Sequence, residues 1–422
     1  MPASSELLHA AASSGSLEFL LERLQQSASL PLSRAESLAP GFYTSSEFFD
    51  WEVDTLFRSG WICLGHSSQI PTNGDFFLVD LLGEPLVIVR DKSGIIRVLS
   101  RVCPHRAMDI LPPGFGYDGH GPAVQRDGTR NSGSTRLFLC PYHSWVFELD
   151  GRLKGCAEMH EAEGFSRDDW GLHEYASVEW MGFIFVNLEG NNSSDDFPLV
   201  EASDDLGDWQ PDEMEVVVAL EWDCPFNWKV LVENFMESYH HLGAHLKTLQ
   251  PILPARDTWS EAEKRHHIRA HLPLRLSQVE TSAEVFPPLP TLPAAKAAEW
   301  ALFLGFPNFL LFGGPDRLIW YRIDPVDAER SKLLTTVLVP SSYKSLEGYE
   351  SKRQAAEQNL RTFHLEDMEM CEAVQRGFHS RVAGPGRLSH LEMPIWLFQR
   401  FLAARARGVW PTDDMAPAPA QR

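Results

Sequence analysis

The sequence predicts an α+β chain in two parts, an all-β first half and a second half that mixes helices and strands. Three observations carry this. Between about residues 60 and 190, short β-rich runs recur with turn residues between them. Helical patterns then cover 228–243 and about 348–377, and strand patterns at 308–313, 317–324 and 332–339 lie between those two helices. A length of 422 residues, with 44% hydrophobic and 23% charged, suits two globular domains with substantial cores.

Taken in order, residues 1–40 read as an N-terminal extension, with a short amphipathic helix marked by Leu17, Leu20, Leu21 and Leu24. Thr44-Ser-Ser-Glu47 is a capping-box pattern, and Phe49, Val53, Leu56 and Phe57 give the helix after it an apolar face. Strands follow at FFLVD (76–80), PLVIVRD (85–91), GIIRVL (94–99), LFLCPYHSWVFEL (137–149) and WMGFIFVNL (180–188). EGNNSSDD (189–196) reads as a linker. The helix over 228–243 is opened by Asn227 and closed near Gly243, and FPPLPTLP (286–293) is a loop. The long helix stops naturally at Gly377, and the Pro/Ala-rich tail frays from Trp410. The expected division is therefore 1–40, 41–195, 196–405 and a flexible 406–422.

Charge narrows the function classes. Against 58 acidic residues stand 37 basic ones, a formal charge of −21, which repels nucleic acid and anionic membrane surfaces. No apolar run reaches the eighteen or so residues of a membrane span, and MPASSELLHAAASSGS lacks the features of a secretory signal. A cytoplasmic location is expected, with the six cysteines reduced.

Two Cys/His clusters give the strongest chemical signal. Cys103-Pro-His105 and Cys140-Pro-Tyr-His143 each follow a strand pattern. Two thiolates and two imidazoles on two loops close one metal site, either a tetrahedral zinc or a two-iron, two-sulfide cluster with Cys on one iron and His on the other. Tyr142, Trp145 and Phe147 would build a low-dielectric shell, which favours the cluster. Cys63 and His66 have the same spacing as Cys140 and His143 but no matching partner cluster, so a buried thiol and an ordinary histidine account for them, and Cys156 with His160, at helix-like spacing, is a weaker decoy. Gly114-Phe-Gly116-Tyr-Asp-Gly119 fits a dinucleotide-binding string but neither follows a strand nor opens a helix, so electrons must come from another protein.

The second constellation is NWKVLVENFMESYHHLGAHLKTL (227–249), with Glu237 three residues before His240 and with His245 beyond Gly243. Two histidines and one carboxylate on one side of an iron leave positions open for dioxygen and substrate. The plain alternative is a solvated helix whose histidines favour its C-terminal end.

CPHRAM (103–108) and CPYHSWVFELDGRL (140–153) resemble the cluster motif of the Rieske non-haem iron oxygenases, the superfamily of ring-hydroxylating dioxygenase alpha subunits and choline and carnitine monooxygenases. The resemblance implies an all-β Rieske [2Fe-2S] domain followed by a helix-grip, START-like catalytic domain on an antiparallel sheet. Cys103 and Cys140 would bind one iron, and His105 and His143 the other. Between His105 and Cys140 lie 34 residues, longer than the family's usual gap, and a Gly-rich surface loop accounts for the excess. ENFMESYHHLGAH resembles the family's mononuclear iron motif, which implies His240 and His245 as ligands. Glu237 would bridge to a Rieske histidine of a neighbouring subunit, and Glu rather than Asp here resembles the branch that oxidises quaternary ammonium compounds. EDMEMCEAVQRG (366–377) resembles the acidic helix that gives the third ligand, Asp367, with Glu366 and Glu369 as rivals, His241 as packing and Asn234 as a polar residue near the iron.

The implied protein is a terminal oxygenase. It would take O2 and NAD(P)H-derived electrons from a reductase or ferredoxin to hydroxylate a small substrate at a mononuclear Fe(II), and assemble as a homotrimer with or without a beta subunit. An N-methylated or quaternary amine is the favoured substrate, and aromatic-ring dioxygenation is the alternative. Phe303, Phe306, Asn308, Phe309, Trp320 and Tyr321 are candidate pocket walls. A Rieske electron carrier or a zinc-stapled binding module would carry no second iron.

Overall fold

The computed structural model describes residues 16–112, 131–190, 196–275 and 286–411, and divides into two units, Trp61–Phe197 and the segments Met1–Gly60 with Pro198–Arg422. The Gly114–Gly119 string, most of the 106–139 insertion, the middle of the 189–196 linker and the last eleven residues of the tail lie outside the described residues.

The first unit is all-β. Its strands are β1 (Ile62–His66), β2 (Asp75–Leu81), β3 (Glu84–Arg90), β4 (Ile96–Ser100), β5 (Ser132–Ser134), β6 (Phe138–Leu139), β7 (Val146–Phe147), β8 (Leu153–Gly155), β9 (Ala176–Trp180) and β10 (Phe183–Asn187). They form three antiparallel sheets ordered β1-β10-β9, β4-β3-β2-β5 and β6-β7-β8. Leu82-Gly83 (φ 51° and 83°) and Met181-Gly182 (φ 52° and 79°) make two-residue turns with both φ values positive. The backbone twist of such turns matches that of antiparallel neighbours, and glycine takes the second position at no steric cost. The single strand expected over 137–149 is instead two short strands, β6 and β7, because Cys140 to Trp145 close on themselves as a loop.

The second unit holds a seven-stranded antiparallel sheet with helices packed on it. Its helices are α1 (Leu17–Ala28), α2 (Ser46–Glu52), α3 (Trp228–Met236), α4 (Tyr349–Phe378) and α5 (Met393–Ala406). Its strands are β11 (Met214–Cys224), β12 (Trp259–Ser260), β13 (His267–Pro273), β14 (Glu299–Gly305), β15 (Phe309–Gly313), β16 (Leu318–Asp327) and β17 (Arg330–Pro340). The sheet order is β11-β17-β16-β15-β14-β13-β12, with α4 against β11 and α3. Asn227 caps α3 as its sequence suggests, its Oδ1 accepting from Lys229 N at 2.9 Å. The helix ends at Met236, not near Gly243. Glu237 turns extended, and its carboxylate accepts from His240 N at 3.1 Å, so the chain restarts as a separate turn, Tyr239–Leu242.

The expected boundary at residue 41 moves to Gly60. Of the segment before it, residues 16–60 pack as part of the second unit. Leu20, Leu24 and Ala28 bury one face of α1, which packs on α5. Gln25 Nε2 donates to Ala403 O at 2.7 Å, and Trp396 Nε1 donates to Leu30 O at 2.9 Å. At the end of α2, Glu52 pairs with Lys229 at 2.7 Å and accepts from Trp228 Nε1 at 3.0 Å, with both charged side chains at 0% exposure. Loss of one partner leaves a buried charge alone. Lys229→Met is therefore expected to destabilise the unit by about 3–5 kcal/mol, and the double change Glu52→Leu/Lys229→Met by less, read as urea midpoints from tryptophan fluorescence.

Candidate metal centres

In the first unit, Cys103–Met108 and Cys140–Trp145 are the same loop built twice. In each, the Cys N–H donates to the carbonyl five residues on, Met108 O at 2.9 Å and Trp145 O at 2.8 Å. The N–H four residues on returns to the Cys carbonyl, from Ala107 at 2.9 Å and Ser144 at 3.0 Å. Both returning residues take a left-handed backbone, φ 55° at Ala107 and 58° at Ser144, which the closed loop requires of non-glycine residues. Flanking pairs, Val102 with Asp109 and Leu139 with Val146, fix the feet of the loops.

The loops converge on four donors. The two thiols are buried and lie within hydrogen-bonding reach of one another without a disulfide. Burial pushes the Cys103 thiol up to about 11, and the adjacent Cys140 adds to the rise, while the N–H groups of His105 and Arg106 oppose it. The His105 and His143 rings are 4.6 Å apart, and Trp145 stacks on His105 at 4.8 Å. Nδ1 of each imidazole is buried with no hydrogen-bond partner. Two buried sulfurs beside two unpartnered imidazole nitrogens suit a cluster ligated by Cys on one iron and His on the other. By contrast, His66 Nδ1 lies 2.9 Å from Ser68 Oγ, and His160 is exposed beside Glu158.

In the second unit, His240, His245 and Asp367 bring one donor atom each within 4.8 Å of one another. His245 Nε2 is 2.8 Å and His240 Nε2 3.5 Å from the same carboxylate oxygen, Asp367 Oδ1. Each histidine is held from behind by another carboxylate. His240 Nδ1 lies 2.6 Å from Glu237 Oε1, and His245 Nδ1 lies 2.6 Å from Glu366 Oε2. Thr248 Oγ1 donates to that same Glu366 oxygen at 2.6 Å. Holding Nδ1 fixes the ring and aims Nε2 inward, as a metal-ligating imidazole requires.

Charge favours a cation here. Burial alone would hold both imidazoles neutral, but the carboxylates outweigh it and raise both. Burial would raise Asp367, yet the two histidines hold it below the usual carboxylate range. The same carboxylates that raise the imidazoles make the pocket favourable to a cation. Two histidines and one carboxylate with the remaining directions open suit ferrous iron.

The rivals separate by position. Glu366 orients His245, and Glu369 is exposed on α4. His241 points elsewhere, its Nδ1 2.9 Å from Leu253 O, with burial and its neighbours pushing it down to about 3. Asn234 sits half-buried on the last turn of α3, three residues before Glu237 and on the helix that leads into the site. Of the candidate pocket walls, Tyr321 reaches the centre's surroundings, its ring 5.0 Å from Phe235 and 5.6 Å from His364. Trp320 is buried on the opposite face of β16, Phe306 stacks on Phe401 at 3.9 Å, Phe303 stacks on His267 at 5.0 Å, Phe309 packs on Phe303, and Asn308 donates to Ile323 O at 2.7 Å. Sequence reasoning missed Thr248, although its position three residues past His245 leaves a local signal.

The fold and the two donor sets define an iron–sulfur protein with a second, mononuclear iron. Residues 60–169 match the Rieske [2Fe-2S] domain, and residues 211–408 match the catalytic domain of the ring hydroxylating alpha subunit. The carnitine monooxygenase oxygenase subunit of Acinetobacter pittii is 28% identical over 354 residues, covering 82% of this chain and 86% of that one. Biphenyl 2,3-dioxygenase subunit alpha of Rhodococcus jostii is 31% identical over 229 residues, covering 52% of this chain and 46% of that one. The solved structure of a quaternary ammonium Rieske monooxygenase shares the fold at TM-score 0.75 and 24% identity, covering 90% of this chain and 98% of that one. This chain belongs to the Rieske non-haem iron oxygenases. It is an oxidoreductase that incorporates molecular oxygen, using a [2Fe-2S] cluster, a mononuclear iron and electrons from a reductase or ferredoxin.

The buttress on His245 gives a direct test. Glu366→Gln is expected to weaken ferrous iron binding at the triad by about 10- to 100-fold in equilibrium dialysis, with the visible spectrum of the cluster unchanged, while Glu369→Gln leaves both unchanged.

Proposed function

We propose that this chain is a terminal oxygenase whose substrate is a quaternary or N-methylated amine, with Cys103, His105, Cys140 and His143 holding the cluster and His240, His245 and Asp367 the mononuclear iron. The observation that carries the ligand assignment is the pair of carboxylate-held imidazoles aimed at one oxygen of Asp367. The two centres, when bound, supply stored electrons and dioxygen activation. The net reaction inserts one oxygen atom into a substrate C–H bond, and two electrons and two protons convert the other to water.

The residues themselves do the positioning. Glu237 holds the outer nitrogen of His240. In a trimer, its resemblance to the family's bridging carboxylate gives it a second task, contact with a Rieske histidine of the neighbouring subunit. The solved quaternary ammonium monooxygenase is described in terms of inter-subunit electron transfer. Glu366 and Thr248 keep His245 oriented, and Tyr321 with Phe235 packed on it forms an aromatic wall near Asp367. An onium group against such π-faces gains cation–π attraction. The net charge of −21 further favours a cationic guest, and relatives are named for carnitine and glycine betaine oxidation.

The test is a single turnover. Anaerobic enzyme loaded with ferrous iron and reduced with dithionite is mixed with ¹⁸O-labelled dioxygen and a panel of carnitine, glycine betaine, choline, biphenyl and benzoate. The expected result is labelled product from a trimethylammonium compound and none from the aromatics. Labelled product from the aromatics alone would replace this reading with ring dioxygenation.

A further inference from the structure

His364 has no part in the arrangement described so far. It stands on α4 one turn before Asp367, on the same helical face, with 0% exposure. Trp222 of β11 lies against its ring at 4.5 Å, and Tyr321 of β16 meets it edge-on at 5.6 Å. Phe235 of α3 packs in turn on Tyr321 at 5.0 Å. The imidazole thus belongs to the aromatic wall beside the metal triad.

Neither of its nitrogens has a hydrogen-bond partner among the described residues. The neighbours that might serve are committed. Trp222 Nε1 donates to Thr335 Oγ1 at 3.0 Å. Arg361, one turn earlier on α4, lies over the Trp222 ring and donates to Glu357. Other buried histidines of this unit are served, His241 by Leu253 O and His271 by Glu261 and Glu299. A buried polar group left bare costs about 1–3 kcal/mol, so a residue retained in this state implies a partner that the protein itself does not supply.

The chemistry of that partner follows from the surroundings. Burial pushes His364 down to about 4 against the opposing pull of Asp367, so the ring is neutral near pH 7 and offers one N–H donor and one acceptor. Among the described residues the charge that acts on it is the Asp367 carboxylate, which disfavours a second anion alongside. A neutral hydroxyl matches both capacities of the ring.

We propose that His364 is a specificity-determining residue that hydrogen-bonds a hydroxyl group of the substrate, so that the preferred guest is a hydroxylated trimethylammonium compound. This rests on the amine reading above and sharpens it. A buried water in the same place would instead leave hydroxyl discrimination untouched.

The test compares two ligand pairs that differ by one hydroxyl, choline with ethyltrimethylammonium and carnitine with γ-butyrobetaine. Binding to anaerobic holoenzyme is measured by isothermal titration calorimetry. Wild type is expected to favour the hydroxylated member of each pair about 10-fold. His364→Phe should bring both ratios to about one, with the affinity for the hydroxyl-free members held within about twofold. His364→Gln keeps a donor and an acceptor, so it should retain part of the preference, and it decides the matter should the Phe variant not fold. Equal affinities within each pair in wild type, or ratios unchanged in the variants, would overturn the role of His364 and leave the amine reading standing. Failure of all four compounds to bind would overturn both.

Discussion

A histidine presents a chosen nitrogen to a metal in a fixed direction when its other nitrogen is held, and the catalytic unit is organised around meeting that condition twice. Glu237 and Glu366 are the two holding groups, each 2.6 Å from an Nδ1. For Glu237 the cost is the helix itself. α3 stops at Met236 so that the Glu237 carboxylate can reach back to both the backbone N–H and the ring of His240. A continuous helix would have spent that N–H on its own ladder. For Glu366 the condition is met from a distant element, which ties α4 to the segment after α3 through one short hydrogen bond and the Thr248 hydroxyl. Asp367, next in the chain, then points to the other side of the same histidine. Adjacent acidic residues on α4 therefore serve opposite ends of one imidazole.

In the Rieske unit the unpartnered Nδ1 atoms are the nitrogens offered to the cluster, and backbone geometry does the orienting. Two loops with matching hydrogen bonds and matching left-handed residues bring the donors together. Trp145 stacks on His105 and belongs to the apolar core of the unit along with Phe138, Phe147 and both cysteines. In the catalytic unit the N-terminal segment has a supporting part. α1 and α2 pack under α5 and α3, and the buried Glu52–Lys229 pair joins α2 to the helix that leads into the iron site.

What could be read from the sequence was what is local. The cluster loops lie within six residues each, so Cys103, His105, Cys140 and His143 stand out as short strings. Asn227 and Gly377 mark helix ends that the structure places within a residue of expectation. The role of Glu366 was hidden because its partner is 121 residues away, and spacing on α4 alone could not choose between it and Asp367. β13, HIRAHLP, alternates Ile268, Ala270 and Leu272 with His267, Arg269 and His271, and was passed over because its polar face carries two histidines and an arginine. Its buried His267, Arg269 and His271 are neutralised by Asp205, Glu261 and Glu299 from elsewhere. β14, EWALFLG, is apolar on both faces, a pattern that strand and helix share. Among the candidate pocket walls, alternate residues of β16 face opposite ways, so Tyr321 lies beside His364 while Trp320 is buried on the other face.

The central claim is that one chain carries two independent iron centres held by these particular side chains. The measurement that tests it most directly is iron and acid-labile sulfide content, with electron paramagnetic resonance after dithionite, for wild type beside Asp367→Ala. The account predicts a cluster with two irons and two sulfides plus one further iron in wild type, and loss of that single iron alone in the variant, with the reduced-cluster signal unchanged. Zinc without sulfide in wild type, or an Asp367→Ala protein that keeps its full iron content, would contradict it.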